Sequence, residues 1–163
     1  VDGRGDFICC RKVQLPAKHH IMVAHLPTFT CAMFFRRRIL DEGGFFFDPQ
    51  WRVLGDAQWM VRLLAARVPM GILRRFTSVF ADTGNNLSLS APGQRERQMM
   101  FDSAPWWARR FRFALVVWHR FRRALGGIYF QKPFDYALYT PGRLDGRVVH
   151  HVAAPTFLWK SRM

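Results

Sequence analysis

The longest stretch free of Asp, Glu, Lys and Arg runs from His19 to Phe35, 17 residues that include three His and Pro27. A helix that crosses a bilayer needs about 20 mostly apolar residues. This stretch is too short and too polar to do so. A chain that is 50% hydrophobic must therefore bury its apolar side chains in a fold or against a surface. Its 163 residues suit one domain of ordinary size and leave little room for two. Any membrane attachment is expected to be peripheral.

Lys and Arg total 25 against 11 Asp and Glu, a net charge of +14. Such a surface suits polyanions: nucleic acid, anionic lipid or phosphorylated ligands. The charge is uneven. Residues 1–94 carry 12 basic and 7 acidic side chains, and residues 95–163 carry 13 and 4. The composition changes near Ala91-Pro92-Gly93, which is turn chemistry. A compact α/β part is expected before that point and a basic, aromatic, helical extension after it, giving regions 1–91 and 92–163. Cys9, Cys10 and Cys31 are an odd set with two neighbours, a poor disulfide framework. A reducing compartment fits them better. No C-x-x-C pair offers a structural zinc site. The opening Val1-Asp2-Gly3 reads as the start of a fragment whose own beginning lies upstream.

Periodicity sets the local expectations. Phe7 to Val13, Phe29 to Phe35 and Ile72 to Ala81 read as strands. Between the first two, Ile21, Met22 and Val23 are expected to be buried. Arg36 to Glu42 reads as a short helix stopped by Gly43-Gly44. Phe45 to Leu54 is a loop. A helix from Gly55 to Arg67 places Trp59, Met60, Leu63 and Leu64 at helical spacing. Pro69-Met70-Gly71 ends it, and Thr83-Gly84-Asn85-Asn86 reads as a turn.

Asp56 falls in the first turn of that helix. A carboxylate there can cap backbone N–H groups, and the helix dipole favours its charge. It can also take a proton from a bound hydroxyl. Three segments stand in order around it: Thr30 to Arg37 with Phe34-Phe35-Arg36-Arg37, then Gly44 to Asp48, then Gly55-Asp56 to Leu64. Thr77 to Ser90 follows, with Gly84, Asn86 and Ser88. This ordered set resembles the C-terminal half of the family 2 glycosyltransferases, which have the GT-A (nucleotide-diphospho-sugar transferase) fold. The resemblance covers roughly residues 3–90. It implies a partial GT-A fold of α/β class, a mixed sheet flanked by helices.

The resemblance also implies roles. Asp56 matches the catalytic base of an inverting transfer. Phe35 and Arg36 match the segment under the acceptor and sugar. Gly44 and Asp48 shape the loop before the base, and Thr28 and Gly55 complete the expected substrate-binding set. Arg52, four residues before Asp56, is placed there by our own reading, facing diphosphate or acceptor. The family holds a divalent metal, Mg or Mn, through an acidic D-x-D motif. No such pair lies at a suitable place here. Asp2 and Asp6 are too far apart, and Asp41-Glu42 and Asp48 fall in the helix and the turn. The donor-binding half is expected to be missing, so this chain alone is expected to bind no metal and to be inactive.

Simpler readings stand beside these. Asp56 can be a helix cap only. Arg36-Arg37-Arg38 reads mostly as a solvated face. His25 reads as a half-buried, satisfied side chain. His19-His20 and His150-His151 lack metal-ligand spacing and read as surface pairs. Cys31 reads as a small core residue. No G-x-S-x-G, G-x-x-x-x-G-K or G-x-G-x-x-G is present, which removes the serine-hydrolase and phosphate-loop readings.

Pro105 to Arg123 is the most unusual stretch. On a helical wheel, Trp107, Phe111, Ala114, Trp118, Phe121 and Leu125 share one side. Arg109, Arg112, His119, Arg120 and Arg123 share the other, with Arg110 and Arg122 at the edges. Gly126-Gly127 ends the helix. Such a helix suits a membrane interface, with rings at headgroup depth and cations on anionic lipid. Trp106, Trp107, Arg109, Phe111, Arg112, Trp118, Arg120 and Phe121 are the expected contacts. The competing expectation is that the aromatic side packs on the domain as core. The stretch after Gly127 reads as aromatic and extended, ending in a turn at Thr140-Pro141-Gly142.

The expectation is thus the acceptor-side half of an inverting glycosyltransferase. It would act on a nucleotide-sugar donor and a glycan or lipid-linked acceptor in cell-envelope polysaccharide synthesis. Its expected place is the cytoplasm, at the inner face of the membrane. The rival is a non-catalytic basic module that binds anionic membrane or nucleic acid, and nucleic acid ranks last because no recognised motif supports it.

Overall fold

The computed structural model describes residues 1–82, 87–140 and 142–158. It is a mixed α/β arrangement. The helices are α1 (Lys18–Val23), α2 (Arg38–Asp41), α3 (Gly55–Ala65), α4 (Ala91–Asp102), α5 (Trp106–Arg110) and α6 (Arg112–Leu125). They are followed by the strands β1 (Phe134–Thr140) and β2 (Arg143–Val152). Short 3-10 turns lie at Thr30–Ala32 and Leu87–Leu89.

The core forms where α1, α3, α4 and α5 meet. Ile21 and Met22 pack with Ala57 and Met60, and with Met100, Ala104 and Ala108. It runs straight across residue 91, so both regions read from the sequence contribute to it. α3 buries Trp59, Met60 and Leu63, as its spacing predicts, together with Ala57, while Leu64 is half-buried against the same core. Each large apolar side chain so buried contributes about 1.5–3 kcal/mol. The helix ends as Arg67 turns left-handed at φ 55° and the Val68 N–H returns to the Leu63 carbonyl at 3.0 Å. α2 stops at the expected glycines: Gly44, at φ 64°, reverses the chain and lets the Phe45 N–H reach the Ile39 carbonyl.

Ala91-Pro92-Gly93 is the first turn of α4 and not a loop. Ser90 is its N-cap, with a hydroxyl oxygen accepting from the Gly93 N–H at 3.3 Å. Pro92 suits a position whose N–H has no intrahelical partner. Gly93 is required because a Cβ there would lie 2.8 Å from the Leu87 carbonyl.

Among the described residues the only sheet is the antiparallel β1–β2 hairpin, in register from Phe134 opposite Val152 to Leu138 opposite Val148, after which the register shifts before Thr140 pairs with Arg143. The region after residue 92 is therefore helical only as far as Leu125. Tyr136 donates its hydroxyl to the Gly5 carbonyl at 2.7 Å, and Phe7 meets Phe134 edge to face. These contacts seat the N-terminal segment on the hairpin. Residues 7–13, 29–35 and 72–81 form no strands, which corrects the sequence expectation. A strand needs a ladder of neighbouring backbone groups. Residue 10 has one such bond, from its N–H to the Thr156 carbonyl, and residues 71–81 lie exposed. The turn read at Thr83-Gly84-Asn85-Asn86 lies outside the described residues.

The helix read over 105–125 is two helices, broken at Phe111 (φ −102°, ψ 25°). No helix among the described residues is long and apolar enough to cross a membrane.

Candidate functional site

Asp56 lies in the first turn of α3, as its sequence position predicts. One carboxylate oxygen accepts from the Ala57 N–H at 2.7 Å. The other accepts the Thr30 hydroxyl at 2.6 Å. The side chain is half-buried. It therefore has a cap contact and a second oxygen that already receives an O–H donor.

Much of what holds this turn comes from α4. The Glu96 carboxylate accepts from the backbone N–H groups of Arg52, Val53 and Leu54, at 2.8, 3.0 and 2.7 Å. These groups precede the first turn of α3 and have no intrahelical acceptor. Burial pushes the Glu96 carboxyl up, but the N–H groups of Leu54, Arg52 and Val53 outweigh it and hold the carboxyl below its ordinary value. Sequence reasoning missed Glu96. Its one signal is a single acid between Arg95 and Arg97.

The loop before Asp56 is fastened to α3 from the other side. The Trp59 indole N–H donates to the Phe45 carbonyl at 2.6 Å, and Arg62 donates to the Phe46 carbonyl at 2.7 Å. Phe47 stacks on Trp59, and Phe35 lies against the same indole, both with centroids 5.0 Å away. Gly44 opens this loop. Asp48 tightens its far end by accepting from the Gln50 N–H at 2.9 Å. Arg52 is exposed.

A cavity of about 1330 Å³ lies beside these elements, with Thr28, Phe35, Arg36 and Trp59 in its wall. Asp56, Gly44, Asp48, Arg52 and Gly55 do not line it. The structure thus divides the expected substrate set. Thr28, Phe35 and Arg36 meet at the cavity, while Asp56 sits at the outer end of α3 with Thr30. The three arginines 36–38 are exposed as expected, and Arg37 pairs with Asp41 at 2.9 Å. Cys31 is exposed, which corrects its reading as a core residue.

α5 and α6 present the second region. Trp106, Trp107, Phe111, Trp118, Phe121 and Leu125 are exposed, Trp118 at 56% and Leu125 at 72%. Arg109, Arg112 and Arg120 are exposed beside them. The expectation that the aromatic side packs on the domain as core is therefore corrected. α6 turns Leu115, His119 and Arg122 inward instead. Leu115 meets the core, and the Arg122 guanidinium donates to the Leu15 carbonyl at 3.2 Å. His119, placed on the solvated side by the wheel, is 4% exposed. The wheel finds two faces correctly, but amphipathicity alone does not say which one meets the protein.

His119 belongs to a cluster that sequence reasoning missed. His20, also read as a surface residue, is 2% exposed. The two rings stack with centroids 3.8 Å apart, and His25 lies 5.0 Å from one and 5.7 Å from the other. His25 is exposed, which corrects its half-buried reading. Residues 20 and 25 are not at helical ligand spacing, and residue 119 lies far along the chain. Only the packing of α1 on α6 joins them. His151 remains a surface residue, paired with Asp135 at 2.6 Å, whereas His150 stacks on Tyr136.

Acidic residues offer no comparable group. Asp2 is used in a tight turn, accepting from the N–H groups of Arg4 and Asp6. Asp41 is paired and Asp48 holds its own loop. Among the described residues, the three histidines are the only group of three or more His, Cys, Asp or Glu placed to share an ion. Comparison with protein-family models, with curated proteins and with solved structures finds no match to this chain.

Proposed function

We propose that this chain is the acceptor-side portion of an inverting, family 2-like glycosyltransferase that works at a membrane surface. One observation carries the reading. Asp56, half-buried at the start of α3, receives a hydroxyl donor on one oxygen while the other is held by the Ala57 N–H. An acceptor sugar hydroxyl that replaces Thr30 would meet the same oxygen.

In this mechanism Asp56 takes the hydroxyl proton as the acceptor oxygen attacks the anomeric carbon of a nucleotide-sugar. The bond from that carbon to the diphosphate breaks, its electron pair leaves with the diphosphate, and the configuration inverts. General-base catalysis of this kind supplies about 10²–10⁴-fold in rate. The divalent metal that the resemblance implies does not fit the acidic residues described here, since Asp2, Asp41 and Asp48 are each used locally.

The test is sugar transfer by the full-length protein. Asp56→Asn should lower turnover by about 10²-fold or more while donor affinity stays unchanged. Turnover retained in that variant removes Asp56 from the mechanism.

The exposed aromatic flank of α5 and α6 favours a second reading, a non-catalytic module on anionic membrane. An apolar patch of this kind marks an interaction surface. Under that reading vesicle binding persists and no sugar transfer is found with any donor.

A further inference from the structure

Buried imidazoles normally find a hydrogen-bond partner. His20 does not. Both of its ring nitrogens are buried with no partner in hydrogen-bonding geometry, and the Leu115 backbone is a polar neighbour that raises its pKa against the burial. The Gln14 amide nitrogen lies 2.5 Å from His119 Nδ1 and 3.3 Å from its Nε2, while the Gln14 Oε1 is itself buried without a partner. Lone pairs left idle in a packed interface cost free energy. His20 and His119 come from helices that meet only through tertiary packing, and His25 closes the group from the surface side. One ligand atom from each of the three histidines lies within 4.8 Å of the others.

We propose that His20, His25 and His119 form a three-imidazole site for a borderline divalent metal ion, with zinc as the preferred occupant and an anion as its fourth ligand. Three neutral imidazoles with an open position are an established zinc ligand set. At a Zn–N length of about 2.0–2.1 Å, tetrahedral ligands stand ~3.4 Å apart. The His20 and His119 rings stack face to face, centroids 3.8 Å and planes 9° apart, so their in-plane lone pairs run parallel. Ligation requires at least one ring to turn about its Cβ–Cγ bond until the ligand atoms, now within 4.8 Å of one another, converge. Metal binding requires deprotonated rings. Burial, with the other two imidazoles nearby, lowers the pKa of His20 to about 3. Burial, then His25 and the neighbouring arginines, lowers that of His119 to about 4.

Those arginines oppose a bare cation. They favour one that brings an anion with it, such as hydroxide or a phosphate oxygen. Gln14 fits as the outer-shell group, because a flipped amide presents its oxygen to the His119 Nδ1–H and fixes the tautomer. An ion held here ties α1 to α6 and fixes the angle at which the aromatic flank of α6 is presented.

The test is titration of the full chain with zinc, and with cobalt as a spectroscopic probe, in the absence of any substrate. One equivalent should bind, with nitrogen-type visible bands for cobalt and a rise in Tm. His25→Ala removes an exposed ligand and leaves the packed interior intact. It should weaken binding by more than the ~10–100-fold that loss of an outer-shell partner costs. His151→Ala should change nothing. Absence of stoichiometric uptake overturns the proposal. So does equal affinity in wild type and His25→Ala, or a thiolate charge-transfer band, which would place the metal at the cysteines.

Discussion

α3 and α6 are both amphipathic, yet they meet the protein in opposite ways. α3 turns Trp59, Met60 and Leu63 into the core, and Glu96 holds the backbone that leads into its first turn. α6 turns inward a narrow face of Leu115, His119 and Arg122, and leaves Trp118, Phe121 and Leu125 outside. The reason lies in what each helix packs against. α3 meets the apolar side of α1, where Met22 and Ile21 wait. The part of α1 that α6 meets presents His20, whose ring stacks on the His119 imidazole. A strong apolar stripe therefore shows that a helix has a face to cover. The covering partner can be the core, as for α3, or a surface outside the chain, as proposed for α6.

The largest test of this contrast is a matched pair of truncations. Trp59→Ala should cost about 3–5 kcal/mol of stability in urea denaturation, as a buried large-to-small change does. Trp118→Ala should stay within about 0.5 kcal/mol. Equal losses would mean that α6 packs its aromatic side in solution.

Glu96→Gln should cost about 2 kcal/mol, because three backbone donors lose a charged acceptor. The wild-type contribution depends on pH. Glu96 is more acidic in the folded chain than in the unfolded one, so its stabilisation is complete above pH 4.5, the ordinary glutamate value, and fades as pH falls through the lower folded value. Denaturation midpoints of the two proteins should converge on acidification. A constant gap would contradict the assignment.

How much of this was legible in the residues follows from which forces are local. The stop of α2 at Gly43-Gly44, the stripe of α3 and the position of Asp56 depend on spacing and backbone preference, and all three were readable. The strands read at 7–13 and 72–81 were not, because an apolar run becomes a strand only beside another backbone edge. The start of α4 was misread as a turn, since Pro and Gly serve both a loop and a capped helix start. Glu96 and the His20–His25–His119 group were invisible, because each joins segments far apart in the chain through packing alone.

Two smaller effects sharpen the comparison. Arg120→Ala should weaken binding to anionic vesicles about fivefold, the value of ~1 kcal/mol per basic residue near the surface, with no change on neutral vesicles. Flotation of both vesicle types reads it, and an equal loss on each would rule out an electrostatic contribution. On the α3 side, Arg67→Gly should raise stability by up to about 1 kcal/mol, because glycine takes the left-handed conformation without the penalty of a Cβ.

Chemistry at the start of α3 and attachment through α6 should be separable, and one experiment measures both. Transfer by the full-length protein is followed with a soluble acceptor and with the same acceptor linked to lipid in anionic vesicles. Asp56→Asn should lose turnover on both while still floating with the vesicles, and Trp118→Ala should lose turnover on the vesicle-bound acceptor only. Full turnover by Asp56→Asn, or equal losses for Trp118→Ala on the two acceptors, would contradict the account.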